Sequence, residues 1–169
     1  MLEAGKFRQI RIAAGEPGIW QTVEILRRLI RSYAAAPLIR VYAGLILGEF
    51  APDDHDGGIV AIRRFVGDHM RYLPDPVGVE AVGLPTYHLQ AIRDTGGTAG
   101  DCDDAAGLTA AIARSAGRPV RLAVASFLPS RRLHHIWAEG GGTSGWIDMD
   151  PFRVELFDGR PTRLHMIGV

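Results

Sequence analysis

The stretch Gly96-Gly97-Thr98-Ala99-Gly100-Asp101-Cys102-Asp103-Asp104-Ala105-Ala106 carries the only cysteine of the chain. Its glycines let the backbone turn tightly, and the small and apolar residues that follow are typical of a helix. This pattern predicts Cys102 at or near the first helical turn. Unpaired backbone N–H groups and the positive end of the helix dipole favour the thiolate there, and the thiolate is the nucleophilic form of sulfur.

Three aspartates act in the opposite direction. Asp101, Asp103 and Asp104 flank the cysteine, and nearby negative charge raises the pKa of a thiol. The same carboxylates are also suited to cap the helix. A reactive Cys102 therefore needs a cation or a base from elsewhere in the chain.

Composition excludes several classes of protein. With 169 residues, the chain is most simply one domain with a core of its own. Hydrophobic residues make up 47% and charged residues 22%, which is typical of a globular protein and excludes disordered and fibrous classes. The single cysteine excludes an internal disulfide framework and a multi-cysteine zinc site. We expect no metal and no cofactor.

Charge and targeting patterns suggest a cytoplasmic protein. Acidic and basic residues number 19 each, so neither nucleic acid nor an anionic membrane is an expected partner. The first residues lack a basic segment followed by an apolar one, and no apolar run reaches the about 18 residues that a membrane span requires.

The first half of the chain is predicted to be largely helical. Apolar residues recur at helical spacing in 19–33 and 59–71, while 38–50 is ambiguous between helix and strand, with helix favoured. The polar and glycine-rich segment 52–58 is predicted as a loop. A short strand at 7–12 and a short helix at 87–92 are also predicted, the latter inside the irregular segment 74–100, whose length is typical of functional loops.

The second half alternates between turns and strands. The helix that begins near Cys102 is expected to end at Ser115 or Ala116, before Gly117. Strands are predicted at 120–125, 133–139 and 146–150, with a glycine-rich loop between the last two. A further hairpin is predicted in the tail, around Val154, Leu156 and the turn Asp158-Gly159.

The predicted hairpin of 133–139 and 146–150 supplies a base and a carboxylate. If Glu139 lies opposite Trp146, then His135 lies opposite Asp150. Directly opposed residues have Cβ atoms about 5 Å apart, which is within hydrogen-bonding reach for these side chains. A cysteine nucleophile requires such a base and such an orienting acid.

The register leaves alternatives open. His134 would point to the other face of the strand, and a slip of one residue would break the pair. A slip of two would bring Asp148 to the histidine in place of Asp150.

These motifs resemble the transglutaminase-like superfamily of papain-type cysteine enzymes. The resemblance rests on Gly-Asp-Cys-Asp-Asp at a helix start, His-Ile-Trp-Ala-Glu on one strand and Trp-Ile-Asp-Met-Asp-Pro on the next, and it covers residues 59–152. Small phage proteins of this type are particularly similar, because Glu80 and Pro85 match a Glu-x-x-x-x-Pro segment before the cysteine motif. The resemblance implies Cys102 as nucleophile, His135 as base and Asp150 as orienting acid.

The same resemblance implies a fold and a function. The fold is α+β, with the nucleophile-bearing helix on a small antiparallel sheet. The whole chain, 1–169, would form one domain, with a core at 59–152 and a helical N-terminal extension at 1–50. The function would be acyl transfer or amide hydrolysis on a peptide or protein, in phage morphogenesis or host interaction, with phage structural proteins as partners. The alternative is a catalytically silent virion or assembly component.

Other functions fit these residues less well. The glycine-rich segment lacks the Lys-Ser/Thr of a phosphate loop, and the aspartates around Cys102 are more often helix caps than metal ligands. Gly100, Asp101 and Trp137 are expected to line the site, with Trp137 and Trp146 as packing residues. Four histidines without a visible partner are predicted at the surface: His55, His69, His88 and His165.

Overall fold

The computed structural model describes residues 11–76, 78–152 and 159–169. The helices in these ranges are α1 (Glu16–Tyr33), α2 (Pro37–Leu47), α3 (His55–His69), α4 (Pro85–Thr95) and α5 (Cys102–Ser115). The strands are β1 (Met70–Tyr72), β2 (Thr98–Gly100), β3 (Val120–Ser126), β4 (His135–Gly141), β5 (Trp146–Asp148) and β6 (Arg163–Gly168).

Helix α5 lies at the centre of the fold. Every residue from Asp103 to Ala113 is buried, because alanines and Gly107 let neighbouring elements approach the helix closely. Helices α1 to α4 pack against it, and so do strands β3 and β4. The N-terminal helices therefore share one core with α5, to which they contribute Val23, Leu26, Ile30, Ile39 and Ala43.

The main sheet is antiparallel, with the strand order β5-β4-β3-β6. Alternate residues of β4 pack into different hydrophobic clusters on the two faces of the strand. Ile136 and Ala138 join the core that contains α5, whereas Trp137 belongs to a small cluster with Ala123 and Ala125. His135 has the same side-chain parity as Trp137 and shares its face of the strand.

A second, two-stranded parallel sheet joins β1 to β2. It pairs Tyr72 with Gly100, and the N–H of Leu73 donates to the carbonyl of Gly100 at 2.9 Å. The helix predicted to continue to about Arg71 ends at His69, because Met70 turns into the extended region to begin β1. This pairing fixes the approach of the chain to Cys102.

The bounds of α2 and α3 differ from the predicted ones. The segment 38–50 is helical, as favoured, over Pro37–Leu47. The loop prediction for 52–58 is wrong in its second half, because α3 begins at His55. Asp54 caps that helix by accepting the N–H of Gly57 at 2.8 Å.

The C-terminal half follows the predicted order of elements with shifted ends. Strand β4 begins two residues later than predicted and β5 ends two residues earlier. Strand β6, which pairs with β3, was not predicted. Most of the predicted strand at 7–12 and the positions of Val154 and Leu156 lie outside the described residues. The α+β prediction is confirmed.

Within the described ranges, no single helix has the length and apolarity of a membrane span. Helices α1 and α2 reach that length and composition only as a pair bent by 82°.

Candidate active site

The start of α5 is built by a capping box. Asp101 is the N-cap, and its side chain accepts the N–H of Asp103 at 3.2 Å. Asp104 makes the reciprocal hydrogen bond of the capping box: its Oδ2 accepts the N–H of Asp101 at 3.3 Å. Two of the aspartates around the cysteine thus hold the helix end in shape. Cys102 is the first helical residue, as the sequence predicts.

The surroundings of Cys102 disfavour its thiolate. Burial is the largest cause that raises the pKa of the thiol well above its ordinary value, and the charges of Asp101 and Asp103 raise the pKa further. A hydrogen bond from the backbone N–H of Ile136 acts in the opposite direction. That contact also places the sulfur beside β4, one residue from His135.

His135 and Asp150 form a buried pair. Nε2 of His135 lies 2.6 Å from Oδ2 of Asp150, and each side chain is only 2% exposed. The other oxygen of Asp150, Oδ1, accepts the N–H of Phe152 at 2.9 Å. Because a carboxylate accepts on both oxygens, Nε2 is assigned as the donor of this pair, and Nδ1 is the ring nitrogen that can accept a proton. The predicted contact between His135 and Asp150 is confirmed.

The strand register behind this pair is not the predicted one. Strand β5 places Asp148 opposite Glu139 and Trp146 opposite Gly141, a shift of two residues. A shift of two keeps every side chain on its predicted face. Its direction moves Asp148 away from His135, to a position opposite Glu139, so Asp150 and not Asp148 reaches the histidine.

Asp148 does not replace Asp150. Its Oδ1 accepts the backbone N–H of Asp150 at 2.7 Å. The second acid of this segment therefore supports the backbone of the first.

Aromatic rings surround the histidine. Trp137 is 2% exposed and stacks on His135, with ring centroids 5.7 Å apart. Phe127 lies 6.1 Å from the His135 ring. His134 turns its Nδ1 toward the carbonyl of Arg132 at 2.9 Å, and its ring lies 6.2 Å from that of Phe127. Trp137 thus packs beside His135.

His88 lies in the interior of the protein. It was predicted at the surface, but it is 2% exposed. Its Nδ1 lies 3.0 Å from Oγ1 of Thr98, and its Nε2 lies 3.3 Å from Oδ1 of Asp104. Helical spacing indicated α4 but not that this position of α4 faces the cysteine helix.

Asp104 connects the irregular segment to the cysteine helix. Besides its cap contact, its Oδ1 accepts the N–H of Gly83 at 2.7 Å. Gly100 leaves room for the same carboxylate, because a Cβ there would lie 2.7 Å from Cβ of Asp104. That Gly100 and Asp101 line the site stays a prediction.

A second acidic group lies beside the site. Asp103 is 3% exposed, and burial, followed by the charge of Asp101, raises the pKa of its carboxyl well above the ordinary value. Burial also raises the pKa of Glu80, which accepts a hydrogen bond from Thr22 at 3.0 Å and interacts with Asp103. Asp101, Asp103 and Asp104 have carboxylate oxygens within 4.8 Å of one another, and Asp101 and Asp104 use theirs as caps.

Solved structures share the fold. A putative protease from Parabacteroides distasonis is similar at a TM-score of 0.57 and 13% identity, over 83% of this chain and 26% of that one. A putative cysteine protease from Cytophaga hutchinsonii is similar at a TM-score of 0.50 and 17% identity, over 79% of this chain and 51% of that one. The chain therefore spans about a quarter and about half of these two proteins. Comparison with curated proteins gave no match.

The family model described as the transglutaminase-like superfamily matches residues 48–151, which include Cys102, His135 and Asp150. The match begins before the predicted core at 59–152 and takes in all of α3 and α4. By this match over more than half of its length, the chain belongs to the transglutaminase-like superfamily.

Proposed function

We propose that the protein is a cysteine-dependent enzyme of acyl transfer or amide hydrolysis, with Cys102 as nucleophile, His135 as base and Asp150 as orienting acid. The observation that carries the proposal is the buried contact of 2.6 Å between His135 and Asp150, on a strand whose next N–H bonds to the sulfur of Cys102. A nucleophile, a base and an orienting group in this order are the requirements of covalent acyl transfer.

The chemistry follows from the assigned nitrogen atoms. The sulfur of Cys102 attacks the carbonyl carbon while its proton passes to Nδ1 of His135. The tetrahedral intermediate then collapses, the C–N bond breaks, and His135 returns the proton to the departing amine. Water or a second amine attacks the thioester, which gives hydrolysis or transfer. The backbone N–H of Cys102 is one donor to the oxyanion, because the first amides of a helix lack an intrahelical acceptor.

A protonated His135 also offsets the effects that disfavour the thiolate of Cys102. Burial, Asp101 and Asp103 raise the pKa of the thiol, so a free thiolate is costly at this position. An imidazolium beside the sulfur offsets that cost, because the proton moves between two neighbouring groups and no isolated negative charge is created.

The substrate class is a peptide or protein amide. Two structures with this fold are called putative protease and putative cysteine protease, and this supports the class without naming a substrate. A role in phage morphogenesis or host interaction, with phage structural proteins as partners and a cytoplasmic or virion location, extends the proposal on the resemblance noted above.

The experiment measures acylation of the thiol and needs no knowledge of the natural substrate. p-Nitrophenyl acetate is the acyl donor, and intact mass reports the acetyl group on the protein. We expect Cys102 to be acetylated much faster than N-acetylcysteine at the same pH. The His135→Ala variant should lose about 100-fold or more in rate, and the Cys102→Ala variant should remain unlabelled.

The raised pKa of Cys102 favours a second candidate function. A partly buried thiol without activation would suit a virion or assembly component that keeps the fold without turnover. Acetylation of the wild type no faster than that of N-acetylcysteine, and equal in His135→Ala, would establish this alternative in place of the enzyme.

A further inference from the structure

Tyr72 lies between the two halves of the candidate site. On one side, the parallel pairing of β1 and β2 sets it opposite Gly100, two residues before Cys102. On the other side, its ring packs edge-on against Phe152, with centroids 5.1 Å apart. Phe152 in turn donates its backbone N–H to Asp150 at 2.9 Å. Tyr72 is thus tied both to the nucleophile segment and to the carboxylate that orients the base.

The position of Tyr72 also leaves it open to an incoming substrate. The residue is 36% exposed although it borders buried groups on both sides. The hydrogen bond of 2.9 Å from Leu73 to Gly100 holds the backbone on its C-terminal side. A partly exposed tyrosine that is held by a strand and packed against Phe152 can meet a bound molecule without a large rearrangement.

The proposed chemistry requires a second hydrogen-bond donor to the oxyanion. A tetrahedral intermediate carries its negative charge on the former carbonyl oxygen, and acyl-transfer sites meet that charge with preorganised donors. The N–H of Cys102 is one such donor. A neutral hydroxyl in a partly buried position beside the nucleophile is a suitable second donor, since it stabilises the charge without adding a proton-transfer step.

We propose that the hydroxyl of Tyr72 is the second oxyanion donor of this site, which makes Tyr72 a catalytic residue. This inference rests on the proposed acyl-transfer function. The hydrogen bond forms when the carbonyl carbon becomes tetrahedral, and the phenol keeps its proton throughout. Tyr72 therefore contributes to the step in which the oxyanion develops and not to activation of the thiol.

The electrostatics of the phenol agree with a donor role. Burial is the largest cause that raises the pKa of Tyr72, and the acidic groups of Cys102, Asp101, Asp103 and Asp150 raise the pKa further when they are ionised. The hydroxyl therefore stays protonated at the pH of reaction.

The test compares two reactions of the same thiol. Acetylation by p-nitrophenyl acetate passes through a tetrahedral oxyanion, whereas alkylation by iodoacetamide displaces iodide directly and develops no charge on a carbonyl oxygen. We expect Tyr72→Phe to slow acetylation by about 100-fold and to leave the alkylation rate and its pH profile unchanged. Tyr42→Phe is the matched control, because Tyr42 also packs against a phenylalanine, Phe65, at 5.6 Å. It should change neither reaction.

Each other outcome has a definite meaning. Equal loss of acetylation and alkylation in Tyr72→Phe would assign the tyrosine to the thiol or to the fold and overturn the inference. Unchanged acetylation in a wild type that is acetylated rapidly would overturn the inference and leave the proposed function standing. A wild type that is not acetylated faster than N-acetylcysteine would overturn both. Thermal unfolding of each variant separates a folding defect from these cases.

Discussion

Oδ1 of Asp148 accepts the backbone N–H of Asp150 at 2.7 Å, while Oδ2 of Asp150 lies 2.6 Å from Nε2 of His135. The two aspartates of the Trp-Ile-Asp-Met-Asp segment therefore have different tasks. One supports the backbone, and the other faces the histidine.

This division predicts unequal effects of the same substitution at the two aspartates. Asp150→Asn replaces the carboxylate that orients His135 and stabilises its imidazolium, so acetylation of Cys102 should fall by about 100-fold or more. Asp148→Asn keeps an oxygen that accepts the N–H of Asp150, so its rate should stay within about tenfold of the wild type. Acetylation kinetics of the two variants provide the measurement. A larger loss at Asp148 than at Asp150 would contradict the assignment of the orienting acid.

The pH dependence of alkylation should change when the base is removed. Burial, Asp101 and Asp103 all raise the pKa of Cys102. Without a cation the thiol should therefore react only above the pH of about 8.5 at which a free thiol titrates. We expect this alkaline profile for His135→Ala. The wild type should show additional reactivity at lower pH from the thiolate–imidazolium pair.

Iodoacetamide labelling followed by intact mass measures both profiles, and the single cysteine makes the result unambiguous. Coincident profiles of the wild type and His135→Ala would show that His135 does not share the thiol proton.

Local features of the fold were predictable from the sequence, and the strand register was not. A helix that begins at Cys102 and ends before Gly117 follows from capping residues and a glycine at φ 74°. The register of β4 and β5 depends on where the hairpin turns. The glycines among residues 140–145 predict a loop there. The strand instead continues through Gly140 and Gly141, and the turn closes with a bond of 2.7 Å from Gly142 to Gly145.

The glycines at the end of β4 allow neighbouring side chains to pack closely against the strand. A Cβ at Gly140 would lie 3.0 Å from the side chain of Ile59, and one at Gly141 would lie 3.1 Å from Pro119. Such contacts come from distant parts of the chain and leave no local signal. The same reason explains why the burial of His88 and the pairing of Tyr72 with Gly100 were not predicted. The contact of His135 with Asp150 was predicted correctly, because the shift of two residues preserves the face of each side chain and moves Asp148 away from the histidine.

Close packing also makes Gly100 intolerant of a side chain. A Cβ at this position would lie 2.7 Å from Cβ of Asp104, so Gly100→Ala must displace the capping carboxylate or the strand. We expect a loss of about 1–3 kcal/mol in the free energy of unfolding, measured by urea denaturation. The matched control is Gly44→Ala in α2, where a Cβ would meet nothing within 4 Å. This change should stabilise the protein by about 0.5–1 kcal/mol. Equal effects of the two substitutions would contradict the packing argument.

The pair of His88 and Thr98 should behave as a coupled unit. Thr98→Val removes the hydroxyl 3.0 Å from Nδ1 of a histidine that is 2% exposed. The loss of a buried partner should cost about 1–3 kcal/mol. His88→Phe removes the other half of the contact. The double variant should be less destabilised than the sum of the single variants by about 1 kcal/mol, measured in a double-mutant cycle. Simple additivity would show that the contact contributes no coupling energy.

The buried carboxyl of Asp103 should make the fold less stable as the pH rises. Burial and the charge of Asp101 raise its pKa well above the unfolded value of 3.8. The folded state therefore holds a proton that the unfolded chain releases, and stability is lost as the pH rises from the unfolded toward the folded pKa. Asp103→Asn mimics the protonated form, since its amide supplies donors to the neighbouring Glu80 and Asp101. We expect this variant to match the wild type at acidic pH and to be more stable at neutral and alkaline pH, in urea denaturation followed across that range. The exposed Asp68→Asn variant serves as the control and should show no such pH-dependent gain. If the stability of the wild type instead ran parallel to that of Asp103→Asn at all pH values, Asp103 would be ionised in the folded protein at little cost in free energy.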